Sequence, residues 1–314
     1  MPPSVPANLF QNATVGGDRS ALARLLSLVE RGGDDAREVA RLTHPFGGMA
    51  YTLGVTGAPG AGKSTLTTRL VAALREEADR VAVLAIDPSS PFTGGAILGD
   101  RVRMGEHDLD EGVFIRSMAT RGHLGGLALA APEAVRVLDA CGYSWVVLET
   151  VGVGQVEVEV AGAADTTAVV LNPGWGDGVQ ATKAGLLEIA DVFVVNKADR
   201  PGAADTERDL RNVLAMAGGG RDGWSPPIVP TIASTGEGTT ELLDAIESHR
   251  EWLTETGGLA RRRERRTAEE LRAVLASRVL ERVAAVEGGE AFDRACRAVI
   301  AREVDPWTAA DSLL

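Results

Sequence analysis

Short apolar segments alternate with amphipathic segments through the middle of the chain. Between residues 51 and 231, seven runs are rich in Val, Ile and Leu, and several of them are apolar without interruption. Such continuous runs are typical of strands that are buried on both faces of a mainly parallel sheet. The predicted strands are residues 51–56, 81–86, 113–117, 145–149, 167–171, 192–196 and 228–231.

Segments with apolar residues at helical spacing lie between most of these strands. They predict helices over residues 63–78, 126–140, 180–190 and 203–217. Strands that alternate with helices favour an α/β fold with a doubly wound, mainly parallel sheet. Ligands bind to this class of fold at the carboxyl ends of the strands.

Both flanks of the α/β region have helical patterns. Residues 18–43 predict two short helices interrupted at Gly32-Gly33, and the chain after residue 231 predicts helices over 238–254, 264–285 and 290–303. We therefore divide the chain into an N-terminal helical extension (1–48), a core domain (49–256) and a C-terminal helical arm (257–314). The apolar faces of the arm either pack on its own chain or pair with a second copy.

A glycine-rich segment follows the first predicted strand. Gly57–Ser64 reads GAPGAGKS, which matches the phosphate-binding pattern GxxxxGK[ST] between a strand and a helix. Backbone N–H groups of such a loop and the helix N-terminus surround phosphate oxygens. Lys63 is predicted to reach the β- and γ-phosphates, and Ser64 to bind Mg²⁺. The predicted phosphate-binding residues are Gly57, Ala58, Pro59, Gly60, Ala61, Gly62, Lys63, Ser64 and Thr65.

The sixth predicted strand ends in an NKxD sequence, Asn196 to Asp199. The Asp199 carboxylate can accept two hydrogen bonds from guanine, whereas adenine offers no such pair of donors, so the pattern favours a guanine nucleotide. The Lys197 stem is expected to lie along the purine, and Asn196 to tie this segment to the phosphate loop.

A second base-binding segment is predicted at Thr231–Ser234. It occupies the place of the SA(K/L) loop of guanine-binding proteins, with Ile232 where Ser is usual. We expect the backbone N–H of Ala233 to contact the guanine oxygen. The usual side-chain bracing of this loop is open to question, because Ile has no hydroxyl.

Two predicted strands end in acidic residues, Asp87 and Glu149. Glu149 begins the sequence ETVG, where many GTPases have DxxG, and Gly152 is predicted to contact the γ-phosphate. The longer Glu149 side chain can reach a magnesium-bound water or position the attacking water. The alternative for each carboxylate is that backbone amides alone satisfy it.

Charge, hydropathy and cysteine content exclude several classes of binding partner. The net charge of −12 argues against nucleic acid, and no apolar run is long enough for a membrane span. Cys141 and Cys296 are isolated, which argues against a disulfide framework and favours the cytoplasm. The one basic run, residues 261–266, is expected to be a solvated, salt-bridged helix face or a docking surface for an acidic partner.

Three longer segments resemble the MeaB/ArgK-type GTPases, which are associated with methylmalonyl-CoA mutase. These are DPSSPFTGGAILGDRVRM (Asp87–Met104), ETVGVGQ (Glu149–Gln155) and GWGDGVQATKAGLLEIADVFVVNKAD (Gly174–Asp199). The resemblance extends over about residues 20 to 300. Independently of it, a Pro-, Ser- and Gly-rich loop over 88–99, between Asp87 and Asp100, favours a switch ordered by γ-phosphate and Mg²⁺.

The resemblance implies a GTPase that is slow alone and faster on an adenosylcobalamin-dependent acyl-CoA mutase, which is methylmalonyl-CoA mutase or a related isomerase. It also implies gating of cofactor loading, protection of the mutase, and a homodimer held by the C-terminal arm. The catalytic candidates are Lys63, Asp100 and Glu149, and the metal candidates are Ser64, Asp87, Asp100 and Glu149. A mobile switch that responds to the mutase is implied at Asp177, Gln180 and Lys183.

The sequence argues against three other classes of protein. An ATP-dependent kinase of the same fold class conflicts with the NKxD sequence. A metallochaperone GTPase would be expected to cluster Cys and His, whereas the four histidines, at 44, 107, 123 and 249, are scattered. A chain that binds cobalamin itself would be expected to contain DxHxxG, which is absent, so cobalamin is assigned to the partner.

Overall fold

The computed structural model describes residues 5, 7–88, 107, 109–120, 126–150, 156–174, 185, 188–216, 223–287 and 289–313. Its centre is a sheet of seven parallel strands in the order β3-β2-β4-β1-β5-β6-β7. The strands are β1 (Tyr51–Gly57), β2 (Val81–Pro88), β3 (Val113–Thr120), β4 (Trp145–Thr150), β5 (Thr166–Leu171), β6 (Val192–Asn196) and β7 (Ile228–Thr231). The prediction of a doubly wound parallel sheet is confirmed.

Eleven helices lie within the described ranges. They are α1 (Ala7–Thr14), α2 (Arg19–Arg31), α3 (Gly33–Thr43), α4 (Lys63–Glu77), α5 (Gly126–Ala140), α6 (Val156–Ala163), α7 (Ala203–Met216), α8 (Thr239–Glu255), α9 (Gly258–Glu287), α10 (Glu290–Ile300) and α11 (Pro306–Asp311). The predicted helix over 180–190 falls mostly outside the described residues. Helix α9 begins six residues before its predicted start, directly after Gly257, whose φ is 68°.

Helices cover both faces of the sheet. Side chains alternate along β1, so Leu53 and Val55 pack in the apolar cluster of α4 and α8. Gly54 points to the other face, where α6 approaches so closely that an added Cβ would lie 3.0 Å from the Cβ of Ala164. That second face is also covered by α2 and α5.

The N-terminal helices form part of the core. Leu22, Leu25 and Leu26 of α2 are buried in the cluster that contains α5 and one face of the sheet. Asp18 caps α2 by accepting hydrogen bonds from the backbone N–H groups of Ser20 and Ala21. The predicted interruption is present, since α2 ends at Gly32 with φ of 72° and α3 follows at once.

The basic run at the start of α9 is divided between solvent and the interior, whereas a solvated, salt-bridged face or a docking surface was expected. Arg261, Glu264 and Arg265 are exposed, but Arg262 is buried and Arg263 and Arg266 are half-buried. Arg262 is 8% exposed and binds both carboxylate oxygens of Asp191, at 2.9 and 2.8 Å. Arg263 and Arg266 bind Asp165. The two aspartates lie just before β6 and β5, in the sheet's interior, and the cost of burying their charges is offset by these three cations.

The rest of α9 contacts its own chain through polar pairs. Arg136 of α5 binds Glu270 at 2.8 and 2.5 Å, and Arg37 of α3 binds Glu281 at 2.5 Å. A separate apolar stripe faces outward at intervals of four residues, where Leu271, Leu275 and Val279 are 59%, 57% and 58% exposed. No described helix combines the length and apolar composition that crossing a bilayer requires.

Candidate functional site

The phosphate loop lies at the carboxyl end of β1, in the middle of the sheet. At Gly57 φ is 135°, and an added Cβ would lie 2.0 Å from the Val170 carbonyl oxygen of the neighbouring strand. At Gly62 φ is 91°, and an added Cβ would lie 2.4 Å from Asn196 Nδ2. Both positions therefore require glycine, for backbone conformation and for space.

Lys63 is the first residue of α4 and is 5% exposed. Its ammonium donates hydrogen bonds to the carbonyl oxygens of Gly57 at 2.9 Å and Ala58 at 3.0 Å. These contacts hold the positive charge against the turn of the loop, where the pattern GxxxxGK[ST] places phosphate groups.

Ser64 and Glu149, both predicted to bind the metal ion, are in direct contact. Ser64 Oγ donates a hydrogen bond of 2.5 Å to Glu149 Oε1, and Glu149 is 3% exposed at the end of β4. The bond uses the hydroxyl proton and leaves the hydroxyl oxygen's lone pairs to accept or coordinate. A hydroxyl and a carboxylate are ligands that Mg²⁺ prefers, so this donor set fits the metal.

Asp87 belongs to β2, the strand next to β4. Its predecessors Ala85 and Ile86 pair in register with Glu149 and Thr150, so the backbone of Asp87 lies at the same edge of the sheet as Glu149. Its side chain lies outside what the structure describes. The other candidates outside the described residues are Asp100, Gly152, Asp177, Gln180 and Lys183.

The NKxD segment is fastened to the phosphate loop. Asn196 Nδ2 donates to the Ala61 carbonyl at 2.7 Å, and Asn196 Oδ1 accepts from Thr231 Oγ1 at 3.2 Å and from the Ala233 N–H at 3.1 Å. Lys197, with φ of 59°, donates from Nζ to the Gly60 carbonyl at 2.6 Å. The residues predicted to bind base and those predicted to bind phosphate thus form one connected unit.

Two details differ from the sequence-based expectations. Asp199 is exposed, whereas discrimination between bases was expected from a buried carboxylate. The Ala233 N–H, expected to contact guanine, donates to Asn196 Oδ1. Asp199 lies in the turn that follows β6, and Asn196 Oδ1 is the acceptor that the Ala233 N–H meets at 3.1 Å.

Arg69 is a residue of this site that sequence reasoning missed. It lies in α4, and its guanidinium donates to the carbonyl oxygens of Ala233 and Ser234, each at 3.3 Å. The two ends of this contact are about 165 residues apart in the chain, and no local pattern signals it.

A protein-family comparison identifies the group to which this architecture belongs. The family described as "Methylmalonyl Co-A mutase-associated GTPase MeaB" matches residues 22–288, which include the phosphate loop, Glu149 and the NKxD segment. The chain belongs to the MeaB family. The resemblance found in the sequence is thereby confirmed.

Relatives of this MeaB-family chain agree with the assignment. It is 50% identical over 301 residues to a Pyrococcus abyssi protein that is named as a GTPase. The aligned region covers 95% of this chain and 93% of the relative. It is 38% identical over 285 residues to the GTPase ArgK of Escherichia coli, covering 88% and 85%. It is 34% identical over 267 residues to the mouse protein "Methylmalonic aciduria type A homolog, mitochondrial", covering 80% and 64%.

A solved structure matches the whole architecture. The crystal structure titled LAO/AO transport system kinase superposes with a TM-score of 0.71 at 30% identity, over 98% of this chain and 95% of that chain. With the family assignment, these comparisons confirm the prediction of a P-loop GTPase. The MeaB-family chain binds guanine nucleotide and hydrolyses GTP.

Proposed function

We propose that this MeaB-family GTPase gates the delivery of adenosylcobalamin to methylmalonyl-CoA mutase, or to a closely related acyl-CoA mutase, and protects that enzyme. The observation that carries the proposal is the match over residues 22–288 to a family described as mutase-associated. The name of the mouse relative refers to methylmalonic aciduria, which supports methylmalonyl-CoA mutase as the partner enzyme.

In this proposal, the nucleotide lies across the carboxyl edge of the sheet. Residues 57–65 hold the phosphates, and Lys63 opposes the negative charge that accumulates on them during hydrolysis. Asp199 accepts hydrogen bonds from the guanine ring, and Asn196 and Lys197 hold the base segment against the phosphate loop. Backbone N–H groups at Ala233 and Gly152 complete the contacts to base and γ-phosphate.

Mg²⁺ would be held by Ser64 and Glu149, which already meet, with Asp87 and Asp100 supplying further oxygens. When bound, the ion neutralises phosphate charge. The chain's own contribution is the orientation of the metal ligands: Glu149 accepts a hydrogen bond from the Ser64 hydroxyl, which fixes the direction of the hydroxyl lone pairs. Lys63, Asp100 and Glu149 are the proposed catalytic residues, with Asp177, Gln180 and Lys183 in a partner-responsive switch.

The C-terminal arm, residues 257–314, would join two copies into a homodimer. Its first turns bind the amino ends of the strands through Arg262, Arg263 and Arg266, which fixes where the arm begins relative to the sheet. Its outward stripe of Leu271, Leu275 and Val279 offers an apolar face that a second copy could bury. The core domain would then comprise residues 49–256 and the N-terminal extension residues 1–48.

The experiment that tests the proposal is cofactor loading of the mutase. Apo-mutase of the same organism is mixed with this GTPase and adenosylcobalamin, and bound cobalamin is followed by its absorbance with GDP, GTP or a non-hydrolysable GTP analogue. We expect the rate or extent of loading to differ between GTP and the analogue, because in this proposal GTP hydrolysis controls the transfer of adenosylcobalamin to the mutase. Identical loading with both nucleotides would contradict a gating role.

A kinase is the second candidate, because the similar crystal structure is titled a transport system kinase. A kinase would transfer the γ-phosphoryl group to a protein or small molecule, whereas a GTPase transfers it to water. The two are separated by following labelled γ-phosphate: the GTPase proposal expects all label to appear as inorganic phosphate.

A further inference from the structure

The loop expected to read the guanine oxygen lacks the usual Ser, yet it has a fixed shape. The Ile232 carbonyl accepts hydrogen bonds from the N–H groups of Thr235 and Gly236, at 3.0 and 2.9 Å, and from Thr235 Oγ1 at 3.1 Å. The Ile232 N–H donates to the Glu237 carbonyl at 2.9 Å. These bonds close the turn on itself but do not attach it to the phosphate site.

Asn196 attaches the loop through the Ala233 N–H, and Arg69 attaches it through two carbonyl groups. The Nε of Arg69 donates to the Ala233 carbonyl and its Nη2 to the Ser234 carbonyl, each at 3.3 Å. The side chain is half-buried and passes Gly236, where an added Cβ would lie 4.0 Å from Arg69 Cδ. A planar guanidinium suits two consecutive carbonyl groups, since its N–H groups have a fixed separation and direction.

The consequence is that the Ala233 residue is held on both sides. Its N–H donates to Asn196 Oδ1 and its carbonyl accepts from Arg69, so its backbone has little freedom to turn. Arg69 belongs to α4, whose first two residues are Lys63 and Ser64. One rigid helix therefore connects the groups that face the phosphates with the loop that faces the base.

We propose that Arg69 is a positioning residue for guanine recognition, which takes over the bracing that Ile232 cannot provide. It fixes the backbone of Ala233 and Ser234, the segment that would face the guanine oxygen, by holding their carbonyl groups. The inference rests on the proposed guanine site. It predicts that loss of Arg69 weakens the recognition of that oxygen in particular, and of the phosphates much less.

The test compares nucleotides that differ at the oxygen. Equilibrium Kd values are measured by competition for GDP, for 2-aminopurine riboside 5′-diphosphate, which keeps the amine and lacks both the oxygen and the N1–H, and for ADP. The missing N1–H affects the wild type and the variant alike, so the change in the Kd ratio between them reports on the oxygen. For Arg69→Gln we expect about tenfold weaker GDP binding, because the loop moves and the hydrogen bond between its backbone and the guanine oxygen is lost. The ratio of the 2-aminopurine Kd to the GDP Kd should shrink by a similar factor, with the ADP Kd unchanged.

Two further variants make the result specific. Arg75→Gln removes an arginine from the same helix that binds Asp110 at 2.9 and 3.0 Å, and it should leave the Kd ratio at the wild-type value even if the protein melts earlier. Arg69→Lys keeps the charge but can serve one carbonyl at a time, so its ratio should fall between those of the wild type and Arg69→Gln.

Other outcomes distinguish a failure of this inference from a failure of the guanine site. A lower melting temperature for Arg69→Gln with an unchanged Kd ratio would show that Arg69 only stabilises the fold, and would overturn this inference while leaving the guanine site intact. Equal wild-type Kd values for GDP and ADP would overturn the guanine site itself, and this inference with it.

Discussion

At the scale of single residues, the site depends on side chains that bond to backbone groups of distant segments. Asn196, Lys197 and Arg69 together contact the phosphate loop and the base-facing loop. A single net hydrogen bond contributes about 0.5–1.5 kcal/mol, or more when one partner is charged. Several such bonds make it costly to move one loop without the other, so base and phosphate contacts should form together.

Two glycines of the phosphate loop give a matched comparison. Gly60 and Gly62 both have positive φ, 70° and 91°, but only at Gly62 would an added Cβ collide with a neighbour, Asn196 Nδ2. We expect Gly60→Ala to cost about 1 kcal/mol of stability from backbone strain alone. Gly62→Ala should cost more and weaken GDP binding by about tenfold or more, because Asn196 must move from Ala61.

The measurements are chemical denaturation and GDP titration of both variants. Equal losses for the two would show that the contact between Gly62 and Asn196 does not matter for the site.

Glu149 gives a test of the chemistry. Glu149→Gln keeps the side chain's size and its ability to accept from Ser64, but it removes the charge that would face Mg²⁺ and water. GTP hydrolysis should fall by about 10²–10³-fold, with GDP binding in the absence of Mg²⁺ changed only severalfold. Glu159→Gln, at an exposed position on α6, is the control. An unchanged turnover number would exclude Glu149 from catalysis.

At the scale of elements, most of the sheet could be predicted because its strands carry continuous apolar runs that only a parallel sheet buries on both faces. Helix α6 was missed because Val156–Ala163 begins with Val and Glu in alternation, a strand-like period of two. The segment forms a helix because it is the crossover between β4 and β5 and packs on Gly54 through Val160. Tertiary contact overrides the local pattern here.

The buried ion pairs of α9 could not be predicted for a different reason. Arg262 pairs with Asp191, and Arg263 with Asp165, across 71 and 98 residues of sequence. The local sequence around the arginines is typical of a solvated helix face. Ion pairs between residues so far apart produce no periodic pattern in the sequence. Helix α11, by contrast, had a usable signal: Asp305 before Pro306 is a helix start, and Asp305 accepts from the N–H groups of Trp307 and Thr308.

The contact between α5 and α9 should make stability depend on pH. Burial, together with the negative charge of Glu270, raises the pKa of Glu133 to about 7 despite the opposing effect of Arg136. A carboxyl with a raised folded-state pKa stabilises the protein fully below its unfolded pKa of about 4.5, and this stability is lost as pH rises towards 7.

Glu133→Gln should therefore be more stable than the wild type at pH 8, by about 1–2 kcal/mol, and equal to it near pH 4.5. Urea denaturation across this range measures the difference. Glu269→Gln, an exposed position on α9, controls for the change in net charge. A difference that grows as pH falls would contradict the burial of Glu133.

At the scale of the whole molecule, the phosphate loop and the start of the arm lie at opposite ends of the strands. The phosphate loop follows the carboxyl end of β1, whereas α9 is locked to Asp165 and Asp191 at the amino ends of β5 and β6. In the proposed dimer, the arm would therefore hold a second copy without covering the phosphate loop. The residues around the carboxyl edge of the sheet would remain accessible to a mutase.

Disruption of the apolar stripe tests the arm. Leu275→Lys should convert a dimer to a monomer in sedimentation velocity at micromolar concentration, because burying the leucine contributes about 1.5–3 kcal/mol per copy and a buried lysine adds a penalty. Ala276→Lys, one residue along the same helix and also exposed, should keep the dimer. A wild-type protein that sediments as a monomer at every concentration would contradict the proposed role of the arm.

The most direct test of the central claim is phosphate release from GTP and from ATP by the purified protein, with and without the acyl-CoA mutase of the same organism. The account predicts slow release from GTP, little release from ATP, and a rise in the GTP rate when the mutase is added. Release that prefers ATP would contradict the guanine site, and a GTP rate that ignores the mutase would contradict the proposed partnership.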